Sequence, residues 1–191
     1  MELKEKISME YEARVMIDEQ QYEKIKEDYI NKYFYHSIIN ENYYYDLSPL
    51  YLIHNHMVLR KRICGDKQEF TLKIKGEKGD IEITNEVNTT SLDINDLISD
   101  GIKSELDKNN IDYKKLKNIA YLKTERIEIP FDEYLFVIDK NYFNDKIDFN
   151  LEVESSSRKL AKKYLSVINK KYGINDDKKY YSKSKRAILK L

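Results

Sequence analysis

The chain has 191 residues, enough for one domain with a sizeable core. Its 34 basic and 34 acidic side chains cancel, which argues against a nucleic-acid footprint and leaves, at 36% charged residues, an unusual density of ions to be placed. A single cysteine, Cys64, excludes an intramolecular disulfide, and no apolar run approaches the ~18 residues of a membrane span.

The first stretch, M-E-L-K-E-K, carries no signal-peptide core, so a cytoplasmic chain that binds neither nucleic acid nor membrane is expected. Its oligomeric state is left open. From Lys6 to Ile17 the pattern has period two: Ile7, Met9, Tyr11, Ala13, Val15 and Ile17 alternate with Lys6, Ser8, Glu10, Glu12 and Arg14. This predicts one strand with a dry face and a charged face, on which two carboxylates and a guanidinium follow one another at i, i+2 and i+4.

Asp18 is placed to cap a helix in which Tyr22, Ile25, Tyr29 and Tyr33 share one side. Residues 40–47 read as a short strand, and Ser48-Pro49 as a turn. Three strands follow in a meander. Residues 57–63 set Arg60 and Arg62 against Leu59 and Ile63, and residues 69–75 set Lys73 and Lys75 against Phe70, Leu72 and Ile74. Residues 81–88 set Glu82 and Glu86 against Ile81, Ile83 and Val87, after a turn bracketed by Gly76 and Gly79.

Residues 91–110 are the most helical middle portion, with a break expected at Gly101. A long strand, 119–130, carries Thr124, Arg126 and Glu128 on one side, and 134–140 is a strand with Asp139. In residues 148–154, Asp148, Asn150, Glu152 and Glu154 alternate with Phe149, Leu151 and Val153. An amphipathic helix through Leu160, Leu165 and Ile168 and a basic tail with Lys183, Lys185 and Arg186 close the chain.

About eight strands with a few helices indicate an α+β fold dominated by an antiparallel sheet, in a single domain over residues 1–191. If the helices cover the dry faces from outside, the ionic faces are free to line a closed barrel. Two Glu-x-Glu pairs, Glu10 with Glu12 and Glu152 with Glu154, would then offer hard oxygen ligands suited to Mg²⁺ or Mn²⁺. The cations Arg14, Arg60, Arg62, Lys73, Lys75 and Arg126 would repel one another without an anion, and a polyphosphate with its metal satisfies both sets.

At this point the sequence resembles the CYTH family, the triphosphate tunnel metalloenzymes. The resemblance runs through M-E-Y-E-A-R, N-Y-Y-Y-D, L-R-K-R, T-L-K-I-K, T-E-R, L-E-V-E and S-K-S-K-R, in the family's order over nearly the whole chain. Arg14 stands where the family signature Glu-x-Glu-x-Lys has lysine.

The resemblance implies a closed tunnel of eight antiparallel strands that binds a triphosphate-containing small molecule with divalent metal. It implies metal ligation by Glu10, Glu12, Asp139, Glu152 and Glu154, helped by Glu82. It implies phosphate binding by Arg14, Arg60, Arg62, Lys73 or Lys75, Arg126 and Lys183, with Arg186 a further candidate. Arg14, Arg126 and Lys183 are the cations expected to act in catalysis.

The activity expected is hydrolysis of a triphosphate. The competitors are an adenylate cyclase of the same family and a catalytically silent polyphosphate-binding module. His54 and His56 are expected in an exposed loop, Cys64 as a small packing residue, and the Asn88-Thr89-Thr90 sequon as idle.

Overall fold

The computed structural model of the chain describes residues 4–77, 79–87, 93–175 and 180–191. In chain order the described elements are β1 (Glu5–Glu10), β2 (Glu12–Ile17), α1 (Glu19–Ile30), β3 (His36–Asp46), α2 (Tyr51–His54), β4 (Met57–Cys64), β5 (Lys67–Ile74) and β6 (Asp80–Glu86). They continue as α3 (Ile94–Leu97), α4 (Asp100–Lys108), a 3-10 turn (Tyr113–Lys115), β7 (Lys117–Pro130), β8 (Tyr134–Phe143), β9 (Lys146–Ser155), α5 (Arg158–Tyr172) and α6 (Lys183–Leu189).

The fold is α+β, and the strands form one nine-stranded sheet in the order β1-β6-β5-β4-β3-β7-β8-β9-β2. Every described pairing is antiparallel. The count is nine rather than eight because the first predicted strand divides at Tyr11: β1 neighbours β6 in the order, and β2 pairs with β9. Period two runs unbroken through Tyr11, so the pattern carries no sign of the change of partner. By contacts the chain groups into two compact units, residues 1–9, 41–122 and 184–191 in the first and residues 10–40 and 123–183 in the second.

In the second unit, α5 packs on β9 and β2, and α1 packs on β9. Asp18 starts α1 as expected, through a full capping box. Its carboxylate accepts the Gln21 amide at 2.8 Å, and the Gln21 side chain accepts the Asp18 amide at 3.1 Å. The helix delivers Tyr22, Ile25 and Tyr29 to a core with Val15, Ile127, Phe136, Ile138, Leu151 and Val153. Tyr22 meets Phe149 and Tyr29 meets Phe136, each at 4.7 Å between ring centroids. Helix α5 begins at the Ser157 cap and ends at Gly173, whose φ of 64° is the left-handed turn that glycine permits.

The first unit contains the predicted meander β4-β5-β6. Its core gathers Leu52, Met57, Leu59, Phe70, Leu72, Ile83, Ile98, Ile102 and Leu106. Full burial of such side chains contributes about 1.5–3 kcal/mol each.

Four local expectations are corrected. The strand predicted over 40–47 begins at His36, and His54 closes the short helix α2 instead of lying in a loop. That helix is fastened by Asp46, whose carboxylate accepts the amides of Leu47, Leu52 and Ile53 at 2.7, 2.7 and 3.1 Å. The helical break falls at Ile98-Ser99, where Ser99 caps α4, and Gly101 lies inside the helix. Ile7 and Met9, expected on the dry face, are 65% and 51% exposed. The sequon at 88–90 lies outside the described residues.

Candidate functional site

The strongest concentration of charge lies in the second unit, on the face of β2, β7, β8 and β9 opposite the hydrophobic core. Register decides who meets whom. Arg14 stands across from Glu152 and Glu12 across from Glu154, while Arg126 stands across from Asp139 and Asp139 across from Asn150. Residues directly opposite in an antiparallel pair are close enough for their side chains to interact.

These ions are withdrawn from water instead of facing it. Side-chain exposure is 0% for Asp139, 2% for Glu152, 11% for Arg126 and 16% for Lys183. The Arg126 guanidinium forks onto Asp139, with Nε to Oδ1 at 2.9 Å and Nη2 to Oδ2 at 3.0 Å. The same Nη2 reaches Glu152 Oε2 at 2.7 Å, and Nη1 lies 3.8 Å from Glu154. Lys183 Nζ bridges the two buried acids, 2.5 Å from Asp139 Oδ2 and 2.8 Å from Glu152 Oε1. Arg14 spans Glu12 and Glu152, with Nε 3.1 Å from Glu152 Oε1 and the guanidinium carbon 5.8 Å from the centre of the Tyr180 ring.

Protonation follows from these neighbours. Burial works against the charge of Glu152, but Lys183, Arg14 and Arg126 outweigh it and hold the carboxyl well below the usual range. Burial pushes the Lys183 ammonium down, with Asp139 and Glu152 opposing the shift and Arg126 and Arg14 adding to it. Glu154 is pushed up to about 7, first by burial and then by Glu10, with Glu152 and Glu12 contributing and Arg126 resisting. Four carboxylates, Glu10, Glu12, Glu152 and Glu154, thus act on one another.

Among the described residues, no three of His, Cys, Asp and Glu are already gathered as a metal cluster. The inner acids are drawn to arginine and lysine instead. The donor chemistry at the other end is of the kind a hard divalent cation takes, since Glu10, Glu12 and Glu154 supply only oxygens.

The first unit holds a second, half-buried set. Lys73 lies 3.1 Å from Glu82 and 3.6 Å from Asp80. Arg62 Nε donates to Asn42 at 3.2 Å, Arg60 Nη2 to Thr71 at 3.5 Å, and both guanidinia approach Glu69. Lys75, past the end of β5, is exposed, which separates it from Lys73. Arg186 is buried in α6.

Sequence reasoning did not single out Asn150, Asn141, Tyr180, Asp80 or Glu69. Asn150 continues the alternation two residues before Glu152, which was an available signal. Tyr180 had none.

The CYTH domain family matches residues 8–181. The chain belongs to this family, the triphosphate tunnel metalloenzymes. A relative from Bacillus subtilis (strain 168), named "Putative triphosphatase YjbK", is 27% identical over 117 residues. That match covers 61% of this chain and 62% of the relative, so it spans a little under two thirds of the relative's length.

Among solved CYTH-like structures, a Bacillus halodurans protein described as a "putative adenylate cyclase" superposes with a TM-score of 0.84 at 20% identity, over 94% of this chain and 97% of that one. HpAC1 from Hippeastrum, described as having a dominant triphosphatase activity, superposes with a TM-score of 0.68 at 14% identity, over 95% and 96%. At these identities the two structures establish the shared fold. Among the described residues no helix is long and apolar enough to cross a membrane.

Proposed function

We propose that this CYTH protein is a divalent-metal-dependent triphosphatase that cleaves a terminal phosphoanhydride of inorganic, nucleoside or organic triphosphate. The observation that carries the reading is the buried cluster of Arg14, Arg126 and Lys183 against Glu152, with the carboxylates of Glu10, Glu12 and Glu154 gathered beside it. Family membership and the name of the Bacillus subtilis relative support it. The closed tunnel is part of the proposal. It rests on the family.

Glu10, Glu12 and Glu154 would hold Mg²⁺ or Mn²⁺, with Glu152 at their border. When bound, such an ion neutralises phosphoryl charge and lowers the pKa of attached water. The protein's share of the work is positional and electrostatic. Arg126 and Arg14 present planar forks matched to phosphate oxygens, and Lys183 presents a compact ammonium. In the first unit, Arg60, Arg62 and Lys73 would bind phosphate oxygens, taking them in exchange for Glu69, Glu82 and Asp80.

The test is phosphate release by purified protein from tripolyphosphate, ATP and thiamine triphosphate with Mg²⁺ or Mn²⁺, with Glu12→Gln as control. Release that disappears with chelator and in the variant supports the reading. Cyclic AMP with pyrophosphate from ATP would replace it by a cyclase, and tight polyphosphate binding without turnover by a binding module.

A further inference from the structure

Asp139 is one of the carboxylates for which the family resemblance implies metal ligation, yet its surroundings differ from those of the other acids. It is fully buried, and four donors converge on its two oxygens: Arg126 Nε on Oδ1, and Arg126 Nη2, Lys183 Nζ and Asn150 Nδ2 on Oδ2, the last at 3.2 Å. Three of these donors fall on Oδ2 and one on Oδ1, so the charge of Asp139 is compensated within the protein by two cations and an amide.

The amide that completes the set is itself fixed from behind. Asn141 Nδ2 donates to Asn150 Oδ1 at 2.8 Å and to Asp148 Oδ1 at 2.9 Å, and Thr124 Oγ1 donates to Asn141 Oδ1 at 2.9 Å. Asn150 Nδ2 also lies 3.4 Å from Glu152 Oε1. Thr124, Asn141 and Asn150 are all buried, and a connected buried network of this kind specifies one arrangement of its members.

We infer that Asp139, held by Asn150 and the Asn141-Thr124 ladder, is a positioning residue that aims Arg126 and Lys183 at the phosphoryl group, and is not a metal ligand. The inference rests on the functional reading above for its consequence in catalysis. Its statement about metal stands independently.

The experiment compares wild type, Asp139→Asn, Asn150→Ser and Glu12→Gln. Mn²⁺ is titrated into metal-free protein with the free ion followed by EPR, and kcat and KM for tripolyphosphate are measured separately. Loss of a ligand or its support costs about ten- to a hundredfold in metal affinity, so Glu12→Gln is expected to bind Mn²⁺ at least about tenfold more weakly and Asp139→Asn about as well as wild type. Because Asp139→Asn leaves the cluster more cationic, KM is expected not to rise. The misaimed Arg126 and Lys183 are expected to lower kcat about tenfold or more.

Asn150→Ser keeps every charge and is expected to show the same pattern more mildly, which covers the case in which Asp139→Asn does not fold. Mn²⁺ affinity lost in Asp139→Asn or Asn150→Ser as strongly as in Glu12→Gln would overturn the inference, as would unchanged kcat in both. If wild type releases no phosphate, the functional reading fails, and the Mn²⁺ titrations alone decide whether Asp139 is a ligand.

Discussion

Arg126 Nη2 lies 2.7 Å from Glu152 Oε2 while the same guanidinium forks onto Asp139, so one buried cation holds two buried anions from neighbouring strands. Removing one partner of such a set leaves charge uncompensated in a low-dielectric interior. Arg126→Met is expected to destabilise the protein by about 3–5 kcal/mol, read as a lowered urea midpoint, together with loss of the proposed triphosphatase activity. A midpoint within error of wild type would show that the pairing is not maintained in solution.

Glu154 gives stability a distinct pH dependence. Its folded pKa, about 7, is above the ordinary glutamate value, so between the two the native state binds more protons than the unfolded chain. Stability from this group is therefore lost as pH rises from about 4.5 to about 7, the reverse of a salt-bridged acid. Glu154→Gln is expected to be more stable than wild type at pH 8, by roughly 3 kcal/mol, and no more stable at pH 4. Added Mg²⁺ should stabilise wild type more at pH 8 than at pH 5. Denaturation curves at these pH values decide both points.

Lys73 and Lys75 are separated by exposure. Lys73→Met is expected to raise KM for tripolyphosphate about tenfold while changing stability by no more than about 1 kcal/mol, since its ion pairs are partly solvated. Lys75→Met should leave both KM and stability near wild type. Equal effects of the two substitutions would contradict the assignment.

Arg14 stands where the family signature has lysine, and it uses its fork to touch Glu12 and Glu152 together. Arg14→Lys keeps the charge but replaces the fork by a single ammonium. It is expected to lower kcat/KM about tenfold, with most of the charge-dependent metal affinity retained. Arg14→Met should cost more than Arg14→Lys on both measures.

Much of this protein is determined by its sequence alone. Period-two alternation gives the strands and their charged faces, Asp18 with Gln21 starts the first helix, and the ordered set of ionic motifs points to the family. What alternation assigns is a face, not a partner. The division of the first strand at Tyr11, the pairing of Arg14 with Glu152 and the buried contacts of Asp139 depend on register between strands far apart in the chain. The tertiary structure likewise decides that Lys73 is paired and Lys75 exposed, and that Asn150 belongs to the charged cluster. Side-chain period states only which side of a sheet a residue takes, while energies of buried ions depend on the few ångströms that packing alone sets.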